Sequence, residues 1–374
     1  MASRAASPAS VNSDHKYVSA PLSDGKRKFR VTVLISGSGS NLAALMAALP
    51  TRLDRCEIVS VISNSKDAYG LERARQHEPH PIPCSSFSPF QYQKSRPDLF
   101  KQEELDIKRL SELLNSSTLS KEEQDEIRKQ WQDKKRKLAS KVKPLYQLEL
   151  ADKVRRTKPD LIVLAGFMLI LLPETLEKLK RDWTEDDQGS SGIQAPGTTS
   201  TLGQSPYPRP LESGTPIPII NLHPALPGSF VGPHVIEDAW EAFNQMKLPQ
   251  TKEEWEKVCE QQQGETTMTS GVVDDVADSL ASTTLDDKSG ALQAQDDASP
   301  SSFGPRITET GIMIHRVIPE LDRGEPILWR QVPMKRGEWI DDLKTRIHEV
   351  EHEAIVEAVK VVTDRLSDGT WWDE

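Results

Sequence analysis

The residues of this chain best suited to do chemistry are Asn221 and His223, in Asn221-Leu222-His223-Pro224-Ala225-Leu226-Pro227. They close an apolar run from Ile217 to Leu222. In a strand, residues i and i+2 share a face, so the amide and the imidazole point into the same space. Pro224 and Pro227 stop the strand and stiffen its exit. A hydrogen-bond donor beside a group that exchanges a proton near neutral pH is what acyl-type transfer requires. Asn-x-His-Pro alone is a weak signal, and three other segments give it weight.

The first is Ile35-Ser36-Gly37-Ser38-Gly39-Ser40-Asn41, which leaves one apolar run and opens a helical pattern. Its glycines allow a tight turn and a close approach to a ligand, and a helix N-terminus attracts an anion. The spacing is not a dinucleotide fingerprint, because the third glycine would fall at Leu42. No Gly-Lys-Ser/Thr follows, so it is not a P-loop either. A single phosphate is the expected ligand; standing alone, the segment would be only a tight turn.

The second is Ala165-Gly166-Phe167-Met168-Leu169-Ile170-Leu171, at the carboxyl end of another apolar run, where open α/β sheets bind ligands. Small residues followed by Phe and Met suit a slot for a flat ring, and suit ordinary core packing equally well. The third is Glu320-Leu321-Asp322-Arg323-Gly324. An Asp beside an imidazole raises its pKa and orients it; an isolated Asp-x-Gly is more often a plain turn.

His348-Glu349-Val350-Glu351-His352 matches the H-E-x-x-H pattern of zinc metalloproteases, with both His on one helical face. No metzincin extension follows, and Ile347 and Val350 belong to an apolar stripe. The match reads as a coincidence on an amphipathic helix, and a metalloprotease is only a remote alternative.

The elements that position these residues are six apolar runs: Phe29–Ile35, Ile58–Ser63, Asp160–Ala165, Ile217–Leu222, Thr310–Val317 and Ile327–Val332. Helical patterns at Asn41–Leu49 and Ala68–Gln76 follow the first two. Near-continuous apolar strands alternating with helices predict an α/β, Rossmann-like, mostly parallel sheet with helices on both faces. A last helix is predicted over Trp339–Leu366, with Ile340, Leu343, Ile347, Val350 and Ala354 on its buried face.

Three stretches break this rhythm. Residues 100–142 are highly charged and read as a helical hairpin or one long helix laid on the surface. Ser120 and Glu123 form a capping box, and Ile127, Trp131, Leu138 and Val142 share a face. Residues 188–218 and the acidic 264–305 have too little to bury and are expected to be disordered, as is a tail over 1–28. Without the tail and inserts, roughly 230 residues remain, the size of a single α/β domain over 29–374. Hydrophobic content is 36% and net charge is −10, which argues against general nucleic-acid binding. No apolar run is long enough to span a bilayer. The three cysteines, Cys56, Cys84 and Cys259, are scattered, which suits a reducing, cytoplasmic compartment.

Taken in order, the motifs resemble those of the phosphoribosylglycinamide formyltransferase family. They are Val33 to Leu42, Val61 to Asn64, Ala68 to Ala74, Val163 to Met168, Ile220 to Pro224, Thr310-Gly311 through His315, and Glu320 to Asp322. The inserts and the short Pro-Ala-Leu-Pro-Gly turn look like fungal members. The resemblance implies a formyltransferase fold that takes 10-formyltetrahydrofolate as co-substrate and glycinamide ribonucleotide as acceptor, with no metal. It implies Asn221, His223 and Asp322 as the catalytic group. It also implies a phosphate and ribose site of Gly39, Ser40, Asn41, Pro224, Gly232 and Glu351. The folate pocket would comprise Met168, Leu169, Ile170 and Leu171, with Val317, Ile318, Pro319, Glu320 and Leu321. Three positions depart from the family pattern: Leu169 replaces an Arg common in relatives, Met313 a Ser or Thr, and His348 an amide. A methionyl-tRNA formyltransferase and a formyltetrahydrofolate hydrolase share parts of this logic and stand as alternatives.

Overall fold

A computed structural model describes residues 22–115, 119–183, 204–208, 211–269 and 306–372. Seven strands form one sheet, in the order β3-β2-β1-β4-β5-β6-β7. They are β1 (Phe29–Ile35), β2 (Cys56–Ser63), β3 (Cys84–Ser86), β4 (Leu161–Leu164), β5 (Ile219–His223), β6 (Glu309–Arg316) and β7 (Pro326–Pro333). β1 pairs in parallel with β2 and β4, β2 with β3, and β4 with β5. The sheet is therefore mostly parallel, as the apolar strands imply. β3 is the one strand not foreseen: three residues carry no periodicity to read.

The described residues fall into two compact units. One holds chain up to Leu222, Ile314–Ile327 and the end from His352; the other holds His223–Met313 and Leu328–Glu351. In the first, the strands are apolar on both faces, with Val33, Ile35, Val61, Leu161, Ile162, Val163 and Ile220 fully buried. Helices α1 (Ser40–Ala48) and α2 (Tyr69–Arg75) follow β1 and β2; α3 (Pro89–Ser95) and α6 (Pro173–Lys178) are short.

The charged segment is a helical hairpin of α4 (Pro97–Leu114) and α5 (Lys121–Arg156). The Ser120–Glu123 capping box is present. The outer half of α5 meets α4 through ion pairs such as Lys134–Asp106 at 2.7 Å. Its inner half does not stop at Val142 but runs through Pro144, where a helix is ordinarily broken. Tyr146, Leu150 and Val154 continue the buried face of Leu138 and Val142, and that burial outweighs the lost backbone bond. Tyr146 stacks on Phe87 at 5.0 Å and donates to its carbonyl at 2.8 Å.

A buried charge cluster closes the amino end of β4. Asp160 accepts from Arg27 (2.6 Å), Arg181 (2.6 Å), Tyr207 (2.9 Å) and the Arg30 amide (2.9 Å). Residues 204–208 belong to the stretch expected to have too little to bury, yet Tyr207 is buried. Tyr207 holds its place through Asp160 and an edge contact with Phe29 at 5.6 Å. Residues 188–203 and 209–210 of that stretch, most of 264–305 and residues 1–21 of the tail lie outside the described residues.

The second unit contains α7 (Val235–Asn244) and α8 (Lys252–Thr269), the latter running into the start of the acidic stretch. Its core is three tryptophans: Trp240 lies 4.8 Å from Trp255 and 6.3 Å from Trp339, both edge-on. The indoles of Trp240 and Trp255 donate to the carbonyls of Glu338 and Gly337, so neither buried N–H is orphaned. The last helix, α9 (Ile340–Asp368), buries Ile340, Leu343, Ile347 and Ala354 as expected, while Val350 is only half-buried and Glu351 takes the inward position. Among the described residues, no helix is long and apolar enough to cross a membrane.

Candidate active site

The turn after β1 is shaped by two glycines. Gly39 has φ +68°, a left-handed conformation that a side chain resists. A Cβ there would lie 2.5 Å from the Cα of Gly70, and one on Gly70 would lie 2.5 Å from Ile35. The turn and α2 thus meet backbone to backbone, and the Gly70 amide donates to Gly37 O at 3.1 Å. Ser40 opens α1 and Asn41 is buried in its first turn, so Gly39, Ser40 and Asn41 present a helix N-terminus of the kind that attracts an anion. In a Gly39→Ala variant, the left-handed backbone alone costs about 1–2 kcal/mol, before the clash with Gly70. We expect a lower melting temperature and a KM for the phosphate-bearing substrate raised roughly tenfold or more; an unchanged KM would exclude the turn from the site.

The loop after β4 is fixed from two sides. The Ser36 amide donates to Gly166 O (3.1 Å), and Ser36 Oγ accepts from the Met168 amide (2.8 Å). Gln147 of α5, fully buried, donates to Ile170 O (2.8 Å) and accepts from the Leu172 amide (2.7 Å) and Thr175 Oγ1 (2.9 Å). These bonds hold Met168 and Ile170 outward, 65% and 52% exposed, while Leu171 is buried and Leu169 half-buried. The loop thus displays two large apolar side chains, Met168 and Ile170, to solvent.

Asn221, His315 and Asp322 come together in the first unit. Val317 N–H donates to Ile219 O at 2.9 Å, which holds the end of β6 beside β5 and brings His315 within reach of Asn221. His315 Nδ1 lies 2.9 Å from Arg316 O. A carbonyl only accepts, so Nδ1 carries a proton, and in the neutral ring Nε2 is an acceptor. Asn221 Nδ2 lies 3.3 Å from Nε2, a geometry in which the amide donates to the neutral ring. Asp322 Oδ1 lies 3.5 Å from the same nitrogen and is nearly enclosed.

Val317–Leu321 form the loop that leads to Asp322. Pro319, Glu320 and Leu321 are exposed, and Val317 and Ile318 are half-buried. Asp322 itself has φ +52°, a conformation Asp tolerates better than most side chains. Gly324 closes the turn; a Cβ there would lie 1.7 Å from Arg316 O, so no other residue fits.

In the second unit His223 is buried, with Nε2 3.0 Å from Phe230 O. By the same reasoning Nε2 carries a proton in that bond. Pro224 and Gly232 are half-buried on the segment between β5 and α7, and Glu351 is buried on α9. His348 and Glu349 of the H-E-x-x-H match are exposed and His352 half-buried. Among the described residues, no group of three His, Cys, Asp or Glu could hold a metal ion.

The sequence motifs passed over three contributors. His315 sat inside a matched segment without a role; a polar residue ending an apolar strand was its only signal. Gln147 lies beyond the charged stretch, which was read as ending at Val142, and Ser36 was seen only as part of a glycine turn.

The family model for formyl transferases matches residues 29–182 and 304–359, more than half of the chain. The chain belongs to the formyl transferase family. The matched segments carry the Gly39 turn, the Met168 loop, the Val317–Asp322 loop and Glu351; β5 lies between them. Curated family members similar to it are three proteins named phosphoribosylglycinamide formyltransferase. That of Schizosaccharomyces pombe is 29% identical over 338 residues, covering 89% of this chain and 97% of the relative. That of Dictyostelium discoideum is 27% identical, covering 90% and 99%. That of Saccharomyces cerevisiae is 27% identical, covering 90% and 98%. The similarity to these formyl transferases thus extends well beyond the two matched segments.

Proposed function

We propose that this protein is a phosphoribosylglycinamide formyltransferase. It transfers the formyl group of 10-formyltetrahydrofolate to the terminal amine of glycinamide ribonucleotide, in de novo purine (IMP) synthesis. The observation that carries this reading is the Asn221–His315–Asp322 cluster, in a chain whose nearly full-length relatives bear that name. The phosphate anchors on Gly39, Ser40 and Asn41, with Pro224, Gly232 and Glu351 completing the ribonucleotide site. The folate ring lies against Met168–Leu171 and Val317–Leu321.

The substrate amine attacks the formyl carbon; a carbon–nitrogen bond forms and the carbonyl oxygen takes the negative charge. Asn221 donates its remaining N–H to that oxygen. Protonated His223 donates to it as well and helps pass a proton to N10 as the bond from carbon to N10 breaks. Asp322 is the third member of the catalytic group in this reading and supplies its negative charge. The amine's proton thus replaces the formyl group on N10, and the reaction balances without a metal. The free thiols of Cys56, Cys84 and Cys259 support a cytoplasmic setting; burial pushes the Cys56 thiol up to about 12, which leaves it inert.

The test is formyl transfer by wild type and by His223→Ala, with a chelator present. We expect turnover in the wild type and a loss of about 10²–10⁴-fold in the variant. A wild type that binds folate without transferring to glycinamide ribonucleotide would overturn the acceptor assignment.

A further inference from the structure

We propose that Arg73, which lies in the matched segment Ala68 to Ala74 but was given no role above, positions the phosphate-binding turn and supplies the positive charge that draws the substrate's phosphate to it. This rests on the function proposed above. Arg73 Nε donates to Ser38 O at 3.0 Å, gripping the residue before Gly39. α2 comes this near the turn because Gly39 and Gly70 meet without side chains; a Cβ on Gly39 would lie 2.5 Å from Gly70 Cα. The guanidinium is then held flat by Tyr69, one helical turn earlier on α2, with Arg73 Cζ 4.9 Å from the ring centroid.

The charge of Arg73 is left for a ligand. Its neighbour Glu72 is engaged elsewhere, with Arg75 at 3.3 Å and Gln76 at 2.6 Å. Hydrogen bonding through Nε alone leaves the paired Nη groups, the fork that matches phosphate oxygens. The need for a cation is general: the chain carries a net charge of −10, so its average field repels a phosphate dianion. A cation beside the turn reverses that field locally, where the α1 N-terminus contributes only partial charge.

Calorimetric titration of glycinamide ribonucleotide and of its dephosphorylated nucleoside tests this. Arg73→Ala should weaken ribonucleotide binding roughly tenfold and leave the nucleoside unaffected. Arg73→Gln keeps a donor for Ser38 O but no charge; it should bind tightly enough to measure and lose much of the wild type's salt dependence. Tyr69→Ala, which frees the guanidinium without removing it, should lose less than Arg73→Ala. Equal weakening of both ligands, or an unchanged salt dependence in Arg73→Gln, would reduce Arg73 to a structural residue and overturn the proposal. A wild type that binds the ribonucleotide in an Arg73-dependent way but transfers no formyl group would overturn the function and leave this inference standing. Failure of the wild type to bind it would overturn both.

Discussion

Asn221→Ala is expected to lower turnover by about 10²–10³-fold, the usual cost of one donor to a developing oxyanion, with little change in KM for either substrate. The split follows from geometry. In the proposed mechanism Asn221 reaches out from β5 with one N–H on His315 Nε2, which leaves the other for the oxyanion. A donor already in place acts on the charge that forms during reaction and contributes little to ground-state binding. His315→Leu should therefore cost less than Asn221→Ala, because it removes the anchor and not the donor. It should also be worse than a pure packing change, because the freed amide can rotate. Wild-type turnover in Asn221→Ala would remove the oxyanion role; a large rise in KM at constant kcat would reassign Asn221 to binding.

The second large effect lies at the amino end of β4. Asp160→Ala is expected to destabilise the protein by about 3–5 kcal/mol, the cost of breaking a buried ion pair from one side. Arg181 has no exposed side-chain surface and Arg27 little, so both guanidinium groups would be left in the interior opposite the Tyr207 hydroxyl. Against a typical total stability of about 5–15 kcal/mol, such a loss is severe.

The sign of the pH effect follows from the titration of Asp160. Burial alone would raise its pKa, but Arg27, Arg181 and the Arg30 amide together hold it well below the usual carboxylate range. A depressed folded value stabilises the protein above the unfolded pKa of about 3.9 and is lost progressively as pH falls below it. Melting temperatures of the wild type should therefore fall steeply below about pH 4. Asp160→Asn should start lower at pH 7 and fall less steeply over the same range. Parallel curves for the two proteins would show that the cluster does not couple to acid unfolding.

How far the sequence reached differs between scaffold and site. Six of the strands were visible as apolar runs, because strands buried on both faces leave continuous signals. The hairpin was visible through the Ser120–Glu123 cap and the spacing of Leu138 and Val142. Its true end was hidden by Pro144, because the burial of Tyr146 and Val154 that overrides the proline is a tertiary fact. Gly39, Asn221 and Asp322 were legible because each stands in a short motif with its own local chemistry. His315, Gln147 and Arg73 act on partners 94, 23–28 and 35 residues away, so no local pattern gives them a role. Asp160 reads as the first residue of a strand until Arg27, Arg181 and Tyr207 are brought around it.

The most direct test of the central claim is a product analysis with all acceptors in competition. Wild-type protein would be given formyl-labelled 10-formyltetrahydrofolate with glycinamide ribonucleotide, methionyl-tRNA and water as possible acceptors. The proposed function predicts label on the amine of the ribonucleotide, released tetrahydrofolate in equal amount, and loss of both in His223→Ala. Label recovered as formate, or on methionyl-tRNA, would contradict it and assign the same fold to a hydrolase or a different formyltransferase.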